Sequence, residues 1–361
     1  MVREPHHERY CMIVNSSTYP FVLSLSKGEL LITTQSLCGE GQLCNRDVAL
    51  EEVVKLRIAA VDLVSNTCFP ALAADELGFF KAEGLDARIE LVAMLGATKA
   101  LRDGSADAMI AGSVHDVLTE FPDWRGAKVA MALSQGTPWL LVVRADLAAR
   151  RGDLNALKGL RLTAAEGPDL ALKQMLLRAG ITPGRDLEII ELPGAKARDV
   201  SFGVFAARAL EARQMDGFWA NAMGAETAVS RGAGKILIDV RRGDDPGEVR
   251  HFTFAGLATT DAFIEREPET IGAAVRAIVK AQKALRADSQ LAAEAGRGKF
   301  PPDAAALIAR VIERDAPFYN PYIYEEAVAG MNRFAHSVGH LSGPVAYERV
   351  AAVRYRELWL T

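Results

Sequence analysis

Cys68 and His115 stand out among the residues whose side chains could do chemistry, because each follows a predicted buried strand. Cys68 lies in the turn after a strand over 56–61, and His115 follows a strand over 106–111. A histidine close to a cysteine can lower the pKa of the thiol and make it a nucleophile. The same residues can also be a small buried hydrophobe and a hydrogen-bonding group for a ligand. Both interpretations stay open at this point.

Other short motifs carry less chemistry. His336 and His340 are four residues apart, but Gly339 lies between them and no carboxylate or thiol nearby completes a zinc site. The glycine-rich stretch 232–235 leads into a predicted strand, whereas a phosphate-binding loop leads into a helix. The chain contains no Gly-x-Ser-x-Gly sequence. We therefore expect no cofactor and no metal.

Composition excludes several classes of protein. The chain has 361 residues, 50% of them hydrophobic, with 42 Lys and Arg against 46 Asp and Glu for a formal net charge of −4. This apolar content excludes a disordered chain, and the acidic balance argues against a nucleic-acid partner. No apolar run approaches the roughly 18 residues of a membrane span. The four cysteines are Cys11, Cys38, Cys44 and Cys68, so we expect no disulfide framework in the body of the protein.

The first 52 residues differ from the rest of the chain. They hold three of the cysteines, and they lack a basic start, a continuous apolar stretch and a small-residue cleavage site. We expect residues 1–52 to be a disordered N-terminal extension or the product of a start codon upstream of the true one. As written the chain shows no signal peptide, so it is periplasmic only if the true N-terminus carries a signal, and a cytoplasmic location stays open.

From Leu56 onward short apolar segments alternate with amphipathic ones, which predicts an α/β protein with parallel sheets between helices. The predicted strands are 56–61, 87–92, 106–111, 128–133 and 139–144 in a first lobe, then 160–164, 187–192, 216–219 and 235–240 in a second. A further strand over 252–258 precedes a largely helical tail. We predict lobe I over 53–145 plus 250–361 and lobe II over 146–249.

Several blocks resemble the solute receptors of the nitrate, sulfonate, taurine and thiamine-pyrimidine group. The similar segments are GFFKAEGLDARIEL (78–91), ALRDGSADAMIAGS (100–113), LKGLRLTAAEG (157–167), LLRAGITPGRDLEII (176–190), DGFWAN (216–221) and ATTDAFIEREPETIGAAVRAIVKAQKAL (258–285). The resemblance implies a two-lobed type II periplasmic-binding-protein fold with a helical C-terminal tail. It also implies a small ligand in the cleft and ABC permease and ATPase subunits as partners.

The resemblance places the ligand loops at the carboxyl ends of strands, where open α/β sheets bind ligands. The expected ligand-binding residues are Asn66, Phe69, Pro70, Gly96, Gly112, Ser113, His115, Gln135, Trp139, Glu166, Gly167, Trp219 and Asn221. We expect Trp139 and Trp219 to form aromatic walls. The loops contain no Arg or Lys, but they contain Glu166 and His115, so a neutral, heterocyclic or cationic ligand is favoured over a sulfonate.

An enzyme on the same scaffold is the competing hypothesis. The segment through His115 resembles the active-site segment of thiamine-pyrimidine synthases, but Ala111 stands where those enzymes carry a lysine, and their cysteine-rich motif is absent. Some desulfinases and decarboxylases of this fold place a reactive cysteine in the loop that holds Cys68. We predict a non-enzymatic receptor, with a synthase or lyase using His115 and Cys68 as the alternative.

Overall fold

The computed structural model describes residues 11–15, 20–26, 29–38, 42–49, 54–93, 95–195, 201–300 and 302–360. The chain divides into two compact units, Met1–Val53 and Val54–Thr361. The first unit holds an antiparallel sheet of β1 (Cys11–Asn15), β2 (Pro20–Ser26), β3 (Glu29–Cys38) and β4 (Gln42–Ala49), in that order. These strands lie where we expected an extension. The expectation about an export signal depends partly on residues 1–10, which lie outside the described residues.

The second unit begins with a five-stranded sheet that forms the first lobe. Its strands are β5 (Val54–Ala60), β6 (Leu85–Leu91), β7 (Ala108–Ala111), β8 (Ala127–Ser134) and, from later in the chain, β14 (Ala255–Thr260), in the order β6-β5-β7-β14-β8. β5 is parallel to β6 and β7, whereas β14 runs antiparallel to β7 and β8. The sheet is therefore mixed, not fully parallel as the alternation predicted, because β14 returns from the second lobe.

The second lobe contains another mixed sheet. It is built from β9 (Leu140–Arg144), β10 (Arg161–Ala164), β11 (Glu188–Ile189), β12 (Gly217–Ala220) and β13 (Gly234–Asp239), in the order β11-β10-β12-β9-β13. We placed β9 in the first lobe, but it pairs antiparallel with β12 and β13. A short, wholly apolar strand carries no pattern that indicates which of two buried sheets it joins, so periodicity alone could not assign it.

Helices cover both sheets and follow the strands closely. The helices are α1 (Phe69–Glu76), α2 (Phe79–Ala82), α3 (Gly96–Asp103), α4 (Pro168–Arg178), α5 (Phe202–Glu211), α6 (Ala222–Ser230), α7 (Asp261–Arg266), α8 (Pro268–Ala287), α9 (Leu291–Ala295), α10 (Pro302–Asp315), α11 (Glu325–Ser337) and α12 (Tyr347–Val350). Proline stands in the first turn of α1, α4 and α8, where its missing N–H costs no intrahelical hydrogen bond. Within the described residues, no helix combines the length and the apolar character needed to cross a membrane.

The C-terminal helices tie the two lobes together. Arg310 on α10 pairs with Glu226 on α6 of the second lobe. Asp315, the last residue of α10, forms a fully buried ion pair with Arg241, whose Nη2 lies 2.7 Å from the Asp315 Oδ1. The helical tail predicted from the sequence is therefore part of the packed body.

Candidate functional site

A cavity of about 90 Å³ lies at the carboxyl ends of the strands, between the two lobes. The first lobe contributes the residues after β5 and β7, and the second lobe contributes the residues around the first turns of α4, α5 and α6. The lining residues are Val61, Asp62, Ser65, Thr67, Cys68, Gly112, Ser113, Asp116, Trp139, Ala165, Pro168, Phe202, Gly203, Trp219, Ala220 and Asn221. Helix N-termini from the second lobe thus face strand ends from the first.

The Asp62 carboxylate bridges the two lobes. Its Oδ1 accepts a hydrogen bond from the Val64 backbone N–H at 2.8 Å. Its Oδ2 accepts hydrogen bonds from Asn221 Nδ2 at 3.1 Å and Ser201 Oγ at 3.3 Å. Ser201 and Asn221 are the N-cap residues of α5 and α6. Burial raises the pKa of Asp62 to about 6, against the opposing effect of these donors.

Asp116 is the second carboxyl group of the cavity and has fewer partners. Its Oδ2 accepts a hydrogen bond from Ser113 Oγ at 2.6 Å, and its Oδ1 lies 3.5 Å from His115 Nε2. Burial raises the pKa of Asp116 to about 7, and the negative charge of Asp169 raises it further. A Cβ on Gly167, which has φ of +90°, would lie 3.2 Å from the Asp116 Oδ1. Glycine at this N-cap of α4 therefore lets the helix approach the carboxyl group.

Aromatic residues form the second-lobe side of the cavity. The rings of Trp139 and Trp219 pack with their centroids 6.1 Å apart and their planes tilted by 57°. Trp219 is fully buried, and its Nε1 has no hydrogen-bond partner among the described residues. Helix α5 reaches the cavity because it packs closely on α6: a Cβ on Gly203 would lie 2.5 Å from Asn221 Oδ1.

Cys68 lines the cavity but its thiol is not activated. The side chain is buried, and Thr67 Oγ1 lies 3.9 Å from its Sγ. Burial raises the pKa of Cys68 to about 12, with a further contribution from the negative charge of Asp62. A thiol in this environment is protonated at neutral pH and is a poor nucleophile.

His115 does not line the cavity. It is fully buried beneath Asp116, where its ring packs against Phe334 at 5.0 Å and against His340 at 6.3 Å between centroids. Burial lowers the pKa of His115 to about 3, so the imidazole is neutral. The pairing of His115 with Cys68 that the lyase hypothesis needs is therefore not formed.

The structure brings five of the expected ligand residues to the cavity, namely Gly112, Ser113, Trp139, Trp219 and Asn221. Contact of these five with a ligand stays a prediction. Asn66 is engaged elsewhere: its Oδ1 accepts a hydrogen bond from the Ala222 backbone N–H at 3.1 Å, and its Nδ2 donates to Asp315. Gln135 donates from Nε2 to the backbone carbonyls of Asn320 and Tyr322.

The remaining expected residues also lie away from the cavity lining. Phe69 and Pro70 are buried in α1, and Gly96 begins α3 against Val92. Glu166 lines an adjoining cavity of about 330 Å³ in the second lobe, which shares Ala165 and Phe202 with the first. Gly167 does not line the cavity, but a Cβ at this position would lie 3.2 Å from Asp116 Oδ1.

Sequence reasoning missed the two carboxyl groups, Asp62 and Asp116. The signal was present, because Asp62 comes two residues after β5 and Asp116 comes within five residues of the end of β7. Phe202 and Gly203 were missed because nothing in their local sequence indicates that α5 begins at the cavity. Among the described lining residues there is no Arg or Lys, and the acidic ones are Asp62 and Asp116.

The comparisons with known proteins agree with this architecture. Residues 148–297 match the model of the NMT1-like family. No curated protein matches the chain. Two solved solute-binding structures are similar to it: the alkanesulfonate-binding protein SsuA from Xanthomonas axonopodis pv. citri bound to MOPS (16% identity, 83% of this chain, 98% of that chain, TM-score 0.61), and the periplasmic nitrate-binding protein NrtA from Synechocystis PCC 6803 (14%, 86%, 88%, 0.60).

The desulfurization enzyme DSZB also has a similar structure. A mutant of DSZB in complex with biphenyl-2-sulfinic acid is 16% identical, covers 86% of this chain and 99% of that chain, and has a TM-score of 0.60. The family match and these structures confirm the resemblance and the two-lobed α/β fold inferred from the sequence. At these identities the structural likeness shows the fold alone.

Proposed function

We propose that this protein is the solute-binding component of an ABC-type importer, which binds a small organic ligand between its two lobes. The observation that carries the proposal is the cavity itself, because it is lined from both lobes and bridged across them by Asp62, Ser201 and Asn221. Such a site couples ligand contact to the relative position of the lobes. Permease and ATPase subunits are the partners this function requires, and the periplasm is the location it implies.

The ligand we propose is neutral, heterocyclic or cationic, and thiamine-precursor-like molecules fall within that description. Sulfonate and nitrate, named for the similar solved structures, would introduce a negative charge beside Asp62 and Asp116. A buried anion needs cationic or strong N–H partners. Ser201 and Asn221, which cap two of the second-lobe helices, already donate to the Asp62 carboxylate.

Native mass spectrometry of the purified protein tests this function, because it detects a small molecule that stays bound. Trp219→Phe should weaken retention, since Trp219 lines the cavity. Trp124→Phe is the matched control: Trp124 is also fully buried with an unpartnered Nε1, and it lies away from the cavity. Equal retention by both variants, or a ligand that is chemically altered during incubation, would contradict the proposal.

The enzyme hypothesis is the second candidate, and Cys68 in the cavity lining is the observation that favours it. A lyase would need the thiolate, whereas the environment of Cys68 keeps the thiol protonated. Cys68→Ser separates the two hypotheses, because it removes a nucleophile but preserves a small polar side chain. We expect unchanged ligand retention and no turnover in either protein. Product formed by the wild type and lost in Cys68→Ser would establish the enzyme.

A further inference from the structure

We propose that the ligand presents a small, flat cationic group that donates N–H hydrogen bonds to Asp116; this inference rests on the proposed function of the cleft. Of the two carboxyl groups that line the cavity, Asp116 is the one with acceptor capacity left over. The Asp62 oxygens both accept hydrogen bonds from the protein, from Val64 on one side and from Ser201 and Asn221 on the other. Asp62 therefore links the two lobes through hydrogen bonds, and Asp116 is the carboxyl group available to a ligand in the cavity.

The hydrogen bonds of Asp116 leave one oxygen for a ligand. Its Oδ2 accepts from Ser113, whereas its Oδ1 has His115 Nε2 at 3.5 Å, beyond good hydrogen-bond distance. Gly167 lies next to Oδ1 and, having no side chain, does not cover this oxygen. An N–H group from a ligand would complete the coordination of this carboxylate.

The charges around Asp116 indicate that the ligand is positive. His115 is neutral, and Lys173 on α4 lies 2.5 Å from the Asp169 carboxylate. Asp169 and Lys173 therefore offset each other, which leaves the Asp116 carboxylate as the unpaired charge on this side of the cavity. Among the described residues no cation lines the cavity. A buried carboxylate without a counter-charge is costly, so a ligand that supplies the charge is favoured over one that lacks it.

The size and walls of the cavity limit the shape of the cation. A cavity of about 90 Å³ is smaller than the roughly 150 Å³ site that holds benzene in another protein, so the part of the ligand that enters it has fewer than about six non-hydrogen atoms. The Trp139 and Trp219 pair provides aromatic surface from the second lobe, and a flat cation packs favourably on such rings. Guanidinium, amidinium and imidazolium groups meet these conditions.

Three planar molecules of nearly equal size but different charge test the inference. Guanidinium, urea and nitrate carry charges of +1, 0 and −1, and each can be titrated at millimolar concentration into the full-length protein. Isothermal titration calorimetry at pH 8, where Asp116 is ionised, measures the affinities. With four non-hydrogen atoms, guanidinium can reach a Kd of tens of micromolar at best. We expect it to bind about 10- to 100-fold more tightly than urea, with no saturable binding of nitrate.

Asp116→Asn removes the charge and retains a side chain of the same shape. We expect it to abolish the preference for guanidinium over urea, whereas Asp153→Asn, at an exposed carboxyl group away from the cavity, should preserve that preference. Tighter binding of nitrate or urea than of guanidinium, an unchanged preference in Asp116→Asn, or no saturable guanidinium binding would each overturn the cation inference. A ligand retained in native mass spectrometry would leave the proposed function standing in those cases, whereas its absence would count against that function separately.

Discussion

Replacing Asp116 with asparagine should stabilise the ligand-free protein, and more at pH 8 than at pH 5. The Asp116 carboxyl group has a pKa of about 7 in the fold, raised from 3.8 by burial and by Asp169. The folded state therefore binds its proton more tightly than the unfolded state does. The stabilisation from this proton is complete below pH 3.8 and is lost as the pH rises through about 7.

The magnitude follows from the two pKa values. At 1.36 kcal/mol per pKa unit, the raised pKa of Asp116 costs the folded state about 4 to 5 kcal/mol at pH 8, where the group is ionised, compared with about 1 to 2 kcal/mol at pH 5, where the folded state keeps the proton. The asparagine amide is uncharged at both pH values, and its oxygen can still accept the hydrogen bond from Ser113. The gain in unfolding free energy caused by Asp116→Asn should therefore be about 3 kcal/mol larger at pH 8 than at pH 5.

Urea denaturation of the wild type and of Asp116→Asn at pH 5 and pH 8 measures this difference. Asp62, whose pKa is about 6, titrates in both proteins and cancels in the comparison. Asp153→Asn provides the control at an exposed carboxyl group. If Asp116→Asn changed the unfolding free energy equally at both pH values, the assignment of a buried, uncompensated carboxyl group at Asp116 would be refuted.

Three further results are expected. Arg241→Ala leaves the buried Asp315 carboxylate without its cationic partner and should lower the unfolding free energy by about 3–5 kcal/mol; a loss under about 1 kcal/mol in urea denaturation would contradict this. Gly203→Ala should destabilise the protein by about 1–3 kcal/mol and weaken ligand retention, because the new Cβ meets α6; Gly343→Ala, where a Cβ has open space, should do neither. Cys68 should resist iodoacetamide at pH 8 in the folded protein, as peptide mapping would show, and rapid labelling would indicate an accessible thiolate.

The sequence predicted the fold better than the site. Apolar strands such as β7 are buried along their whole length, and alternation with helices indicated two α/β lobes. The apolar character of the strands also left the sheet of β9 undetermined, since Leu140–Arg144 would fit either buried sheet. The direction of β14 could not be predicted either, because hydrophobicity does not indicate whether a strand runs parallel or antiparallel to its neighbour.

At the site, side-chain direction was the missing information. The predicted strand ends correctly placed Ser113 and Asn221 at the cavity. His115 and Asp116 are adjacent in sequence, but the His115 side chain is buried in the core and the Asp116 side chain lines the cavity. His115 packs under Phe334 on α11, a helix more than 200 residues later in the chain. Packing against that distant helix buries His115 and leaves Asp116 at the cavity, so local spacing could not separate the two neighbours.

The hydrogen bonds that Asp62 and Asn66 make across the cleft have a kinetic consequence. Ser201, Asn221 and the Ala222 backbone N–H donate to these two side chains from the opposite lobe. At about 1 kcal/mol each, three such bonds shift the balance between open and closed lobes roughly 100-fold toward closed before any ligand arrives. If the protein binds a solute as proposed, the solute must wait for a rare opening to enter, and one already inside must wait for the same event to leave. These three hydrogen bonds therefore affect the rates at which a solute would enter and leave the cleft more than its equilibrium affinity.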